Sequence, residues 1–255
     1  MSAAPAPAGR EESIDAFLGG LVTLVQPRDG HRAGLDAALL QALVPAGASG
    51  RALDFGAGVG TVAFAVAARA PGLTVTGVER DRDLVAFAER ALALPQNAAF
   101  TARVRVVAAD VTALPADAEF AGADWVLMNP PFDAVGSGTP SPDRGRRAAH
   151  VAPAGLPEKW IAAAAAALRD GGHLGLIHRA DALASVLAAL AAFGAIRVRP
   201  VHPAHDAPAK RILVTARRGR RGPLAVLPPL VLHRPGGAWT DEADAILRGA
   251  AELGP

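Results

Sequence analysis

The 255-residue chain contains no cysteine, which excludes disulfides and thiolate metal sites. That absence fits a reducing compartment, and the expected location is the cytoplasm. No apolar run is long enough for a membrane span; the longest, WIAAAAAAL, is short and rich in alanine. The opening MSAAPAPAGREE lacks the basic start and apolar stretch of a secretory signal and reads as a disordered leader over residues 1–12. Lysine is scarce too: 24 of the 26 basic residues are arginine, as a GC-rich genome would write them, and the formal net charge is only +2. Three clusters stand out: DRGRR (143–147), AKR (209–211) and RRGRR (217–221). Each can hold phosphates or lie as a solvated loop, so composition leaves a nucleic-acid partner open.

What is present is a strict alternation of strands and helices. RALDF runs into a glycine turn and the helix TVAFAVAARA; the strand LTVTGVE is followed by DRDLVAFAERALAL, opened by an aspartate cap. RVRVVAAD and ADWVLMN are the third and fourth strands, and PEKWIAAAAAALRDGG is the next helix. HLGLIHR, the helix DALASVLAALAAFG, and the strands AIRVRPV and RILVTAR complete the series. Buried apolar strands separated by helices predict a doubly wound, mostly parallel α/β sheet of seven strands. The last two strands have no helix-length spacer, so a terminal antiparallel hairpin is expected. A Pro-rich tail then leads to the helix TDEADAILRGAAEL.

The turn Asp54-Phe55-Gly56-Ala57-Gly58-Val59-Gly60 lets a ligand approach the backbone at a helix start. A pyrophosphate belongs at such a place, but an aspartate two residues before the first glycine would repel it. S-adenosylmethionine brings an ammonium and a sulfonium, which Asp54 suits. Glu79 ends the second strand, where a carboxylate accepts both hydroxyls of a ribose, and Asp110 ends the third, within reach of an adenine amino group. Any one of these acids reads equally well as a helix cap; three on successive strand ends point to one crevice.

The fourth strand delivers Asn129-Pro130-Pro131-Phe132 into that crevice. The diproline lacks backbone donors and holds the preceding residues extended. An exocyclic amine carries two protons, and the Asn129 side-chain oxygen and the Pro130 carbonyl are two acceptors able to hold it with its lone pair toward a methyl donor. Phe132 offers a ring on which a flipped-out base can stack. Histidine spacings give no metal site. His178, at the end of the fifth strand, reads as a structural histidine or a substrate contact.

These residues resemble the class I S-adenosylmethionine-dependent amino-methyltransferases with an (Asp/Asn/Ser)-Pro-Pro-aromatic motif. Within them the chain looks most like the bacterial valine-tRNA adenine-N6 methyltransferases, which modify the adenosine 3′ of the anticodon. RAGLDAALL (32–40) resembles the segment lying across that family's donor pocket, and AKRILV and LVLHRPGGAWTDEADAILRGA resemble its final strands and closing helix. The resemblance implies S-adenosylmethionine as cofactor, with Asp54, Gly56, Gly58, Gly60, Glu79 and Asp110 around it. It adds Arg32, Asp36 and Asn129 to the donor site, and gives Asn129, Pro130, Pro131 and Phe132 the target amine. It also implies a donor-covering segment at 13–50, a catalytic core at 51–216 and a basic, Pro-rich tail with a closing helix at 217–255. The expected partner is RNA, a tRNA above all, with DRGRR and RRGRR flanking the crevice. Another amine acceptor (rRNA guanine or adenine, DNA adenine or a protein glutamine) and a non-catalytic binding module are the competing readings.

Overall fold

The computed structural model describes residues 11–28, 34–117, 119–131, 133–134, 151–152 and 155–255. Two strands, β1 (Glu12–Phe17) and β2 (Val22–Pro27), pair antiparallel as a hairpin outside the main sheet. Helix α1 (Leu35–Gln41) follows, and then the alternation expected from the sequence: β3 (Ser49–Phe55), α2 (Thr61–Arg69), β4 (Gly72–Glu79), α3 (Arg82–Leu92) and the single turn α4 (Ala98–Thr101). Next come β5 (Val104–Ala108), β6 (Ala123–Met128) and two-residue strands β7 (Asp133–Ala134) and β8 (Val151–Ala152), which pair only with each other. The chain continues through α5 (Leu156–Ala167), β9 (Leu168–Arg179), α6 (Leu183–Ala189), β10 (Phe193–Ala204) and β11 (Arg211–Arg218). It ends with β12 (Ala225–Val226), β13 (Leu230–His233) and α7 (Asp241–Leu247).

The main sheet runs β12-β10-β11-β9-β6-β3-β4-β5, with β13 also on β10. The five strands from β5 to β9 are parallel, and β11 lies antiparallel between β9 and β10, which is the expected terminal hairpin. Among the described residues nine strands rather than seven make up the sheet, because the Pro-rich tail adds β12 and β13 parallel to the outer edge of β10. Proline is tolerated at such an edge, where no further ladder bonds are needed. Two of the expected helices are shorter than their sequence patterns. α5 stops at Ala167, since Gly171 takes φ +73° and the Asp-Gly-Gly stretch joins β9 through a bulge against β6. α6 stops at Ala189, and Phe193-Gly194 already belongs to β10.

Alternate residues of the central strands feed two cores. Ala52, Trp125 and Leu127 face a layer built from α1, α2, α3, α7 and the hairpin. Leu53, Val126 and Met128 face α5 and α6. Burial on both sides explains why these strands read as continuous apolar runs. The hairpin is fastened by Asn97, which is fully buried. Its Oδ1 accepts from Thr23 N at 3.0 Å, and its Nδ2 donates to Thr23 O and to Ala91 O, both at 2.7 Å. Arg90 of α3 closes the same seam by an ion pair with Glu12, so the last residue of the expected leader is a strand residue. Among the described residues no helix is long and apolar enough to cross a membrane.

Candidate active site

Strand order turns around at β3: β4 and β5 follow to one side, β6 and β9 to the other. Such a switch point opens a crevice at the carboxyl ends of the strands. Asp54 lies one residue from the end of β3, beside Gly77 of β4 and Leu127 of β6. Glu79 ends β4 opposite Ala108 of β5, and Asp110 follows two residues later. Asn129 follows Met128, which pairs with Phe55. The four residues therefore stand on four neighbouring strands at one edge of the sheet.

The glycine turn is anchored by Gly56 N and Ala57 N, which donate to Val78 O at 2.8 and 3.0 Å. Gly56, Gly58 and Gly60 all have positive φ, but they differ in their surroundings. A β-carbon on Gly56 would lie 2.5 Å from Trp160 Cη2, and one on Gly60 would lie 2.5 Å from the Phe64 ring. Around Gly58 there is nothing within 4 Å of that position. Packing accounts for two of the glycines, and open space for a ligand accounts for the third.

Asp54 is buried, and its Oδ2 accepts from Ala63 N, in the first turn of α2, at 3.0 Å. Burial pushes its carboxyl up to about 8, opposed by the Ala63 bond and reinforced by the neighbouring Glu79 charge. Glu79 is itself buried; its Oε2 accepts from Gly58 N and its Oε1 from Asp81 N, each at 2.9 Å. Two buried carboxyls in one crevice, one of them pushed up by burial and by the charge of the other, make a site that suits a cation. Asp110 is exposed and caps the following 3-10 turn, accepting from Thr112 N and Oγ1 at 2.8 and 2.7 Å. Those bonds hold its carboxyl below the usual range. Asp36, in the first turn of α1, has its carboxylate engaged by Arg211 Nε at 3.0 Å.

At the elbow Pro130 is buried and Asn129 half-buried. Asn129 Oδ1 is shielded from solvent and accepts no hydrogen bond among the described residues. A buried amide oxygen costs free energy unless a donor reaches it, so the elbow holds an acceptor in want of a proton. Phe132 and Arg32 lie outside the described residues, as do His150 and the DRGRR cluster. The RRGRR cluster does not flank the crevice. Antiparallel β11 carries Arg217 and Arg218 to the opposite edge of the sheet, where they pair with His173 and Phe193. AKR is instead on the crevice side, where Arg211 opens β11 opposite Arg179.

Sequence reasoning missed Trp160, whose ring packs over the glycine turn and fixes its height; its place in a helix of alanines was the available signal. His178 is buried at the end of β9, and burial lowers its imidazole below its ordinary value. Among the described residues no three acidic or histidine side chains gather to hold a metal ion.

The family model described as "methyltransferase small domain" matches residues 33–198, which include every element of this crevice. The chain belongs to that family. Methyltransferases of this family take their methyl group from S-adenosylmethionine, and the cation-seeking crevice fits that donor. Among solved structures, a predicted O-methyltransferase from Agrobacterium tumefaciens is 36% identical, with a TM-score of 0.73, covering 86% of this chain and 99% of that one. The T. thermophilus 16S rRNA N2 methyltransferase RsmC, in complex with AdoMet and guanosine, is 24% identical with a TM-score of 0.56. This chain spans 53% of its length, and 86% of this chain is covered. A type I restriction-modification methyltransferase subunit from Streptococcus thermophilus shares the fold at 15% identity and a TM-score of 0.52, covering 78% of this chain and 47% of that one. Comparison with curated proteins gives no match.

Proposed function

We propose that the chain methylates an exocyclic amine of RNA, and that its substrate is N6 of the adenosine 3′ of the anticodon in a tRNA. The observation that carries the amine is Asn129 Oδ1, a buried acceptor without a donor at the end of β6. When bound, S-adenosylmethionine supplies an electrophilic methyl on its sulfonium.

In this reading Asp54 takes the cationic methionine end of the donor, Gly58 leaves room for it, Glu79 accepts from the ribose hydroxyls and Asp110 from the adenine amino group. Glu79 now spends one oxygen on Gly58 N and the other on Asp81 N, and each oxygen has a further lone pair for a hydroxyl. Arg32 would meet the donor's carboxylate, and Asp36, tied to Arg211, would hold the start of α1 over the pocket. Asn129 Oδ1 and the Pro130 carbonyl accept the two amine protons and aim the nitrogen lone pair along the methyl–sulfur axis. Pro131 keeps the elbow rigid, and Phe132 stacks on the base. With the donor bound, these acceptors would hold the amine for transfer of the methyl from sulfur to nitrogen, and the surplus proton would pass from the nitrogen to water. No strong base is required first, so catalysis is mostly positioning.

Segments 13–50, 51–216 and 217–255 would then act as donor cover, catalytic core and closing tail. The sequence resemblance to the tRNA enzymes supports the choice of tRNA adenosine, and RsmC, on the same fold, carries the name of an RNA amine methyltransferase. The predicted O-methyltransferase relative names the competing acceptor, a hydroxyl. A hydroxyl has one proton to give, which leaves one of the elbow's two acceptors idle.

The test is transfer of labelled methyl from the donor into total tRNA and rRNA, followed by nucleoside analysis. Label in N6-methyladenosine of a tRNA is expected; label in a guanine amine, in a ribose oxygen or in protein glutamine overturns the acceptor.

A further inference from the structure

The edge of the sheet opposite the crevice is strongly basic. Arg169, at the start of β9, and Arg217, at the end of β11, both act on His173, whose ring stacks on Trp125 with centroids 4.3 Å apart. Arg217 Nε donates to Gly171 O at 2.7 Å. A β-carbon on Gly171 would lie 3.1 Å from Arg220 Nε and 3.5 Å from Arg217 Nη2, so two guanidinium groups converge over one backbone position. Arg220 and Arg221 are exposed, and among the described residues neither forms an ion pair. The nearby carboxylates are Asp124, already shared by Arg169 Nε (2.6 Å) and Arg51 N (2.8 Å), and Asp170, which faces Gly219. Arg217 and Arg220 thus converge beside a carboxylate, Asp124, that Arg169 has already taken. Crowded guanidinium groups without counter-charges repel each other, and a phosphate with two accepting oxygens relieves that repulsion bidentately.

We infer that Arg169, Arg217, Arg220 and Arg221 form a second contact surface of the enzyme, one that holds backbone phosphates of the RNA remote from the methylated base. The inference rests on the RNA reading above and adds the place where the substrate is gripped. Trp125, beside His173, lies four residues before Asn129 on β6, about 13 Å at roughly 3.3 Å per residue, and Gly171 and Arg169 lie farther back on β9, so the surface and the elbow stand at opposite ends of two neighbouring strands. A nucleoside or a trinucleotide seated at the elbow does not reach that far. A folded RNA that passes along the sheet does. The surface thus selects for the size of the substrate rather than for its bases, as phosphate contacts do.

The experiment compares full-length tRNA with a trinucleotide centred on the adenosine to be methylated. Three proteins are used: the wild-type chain, the double variant Arg220→Ala/Arg221→Ala, and a control pair, Arg28→Ala/Arg248→Ala, which removes equal charge from exposed sites elsewhere. Donor binding by calorimetry reads the folded state of each. For full-length tRNA the double variant should raise KM about 10-fold with kcat unchanged, and lower the slope of log affinity against log salt by about 2. For the trinucleotide it should match the wild type. A double variant indistinguishable from the control, or one that loses as much on the trinucleotide, overturns the second surface. A wild-type enzyme that labels neither RNA overturns the RNA reading itself, and this inference with it.

Discussion

If Asp54 is the counter-charge of the methyl donor, binding must release a proton. Its carboxyl titrates near 8 in the free protein, so at pH 7 about nine-tenths of it is protonated. Placing a cation beside it favours the charged form and drives the proton off. Near pH 7 roughly 0.9 proton should leave per donor bound, and affinity should weaken about 10-fold, or ~1.4 kcal/mol, for each pH unit below 8. The sign for stability runs the other way. A carboxyl whose folded value is raised stabilises the fold fully below its unfolded value near 4, and that contribution is lost as pH climbs through 8. Asparagine mimics the protonated carboxyl and can accept the Ala63 bond, so Asp54→Asn should match the wild type near pH 4 and gain on it steadily as pH rises from 4 to 8, the gain levelling off above 8. The assay is calorimetric titration with S-adenosylmethionine from pH 6 to 9 in buffers of different ionisation enthalpy, alongside thermal melts. The free donor's amine contributes the same background to both titrations, so a difference between the two proteins traces to residue 54. Equal proton release by wild type and Asp54→Asn, or undiminished binding by the variant, refutes the reasoning.

Asn129→Ala should leave donor affinity nearly intact and lower kcat by about 10²-fold or more, read in single-turnover methyl transfer. Gly58→Ala meets only its own backbone strain, about 1 kcal/mol, so it should fold and melt near the wild type yet lose donor binding. Gly56→Ala drives a methyl into Trp160 at positive φ and should cost roughly 2–4 kcal/mol of stability, visible in denaturant unfolding. Asn97→Ala strips Thr23 of its partners and should lower stability by about 1–3 kcal/mol, with turnover unchanged at low temperature.

The alternation of apolar strands with helices carried the parallel sheet, because strands buried on both faces must be apolar at every position. The strand-end acids were legible for a related reason: a charged side chain directly after such a run has to sit at the carboxyl edge. The β1–β2 hairpin was not legible. Its residues gain their partners from Asn97 and Arg90, far along the chain, and local pattern gives no sign of that. The short strand β12 escaped notice because its ladder is supplied by β10 and its own segment is broken by proline, while β13 was reached only through the resemblance of LVLH to the family's final strands. The placement of RRGRR was misjudged although the sequence held the answer. A terminal hairpin reverses its second strand, so residues after RILVTAR must emerge at the edge away from the crevice. For Asp110, geometry fulfils the capping role that any strand-end acid can play, and a cap leaves the carboxylate's outer face available for a ligand.

The seam at Asn97 also sets an order of events on the ribosome. Thr23 is made 74 residues before the side chain that receives it, and at about 5–20 residues per second that is a wait of roughly 4–15 s. Until α2 and α3 are made, Val22, Leu24 and Val25 lack the helices they pack against, although in the finished protein all three are shielded from water. The earliest strands must therefore be chaperoned or left idle while β3, α2 and α3 assemble, and they close over a body that is already half built.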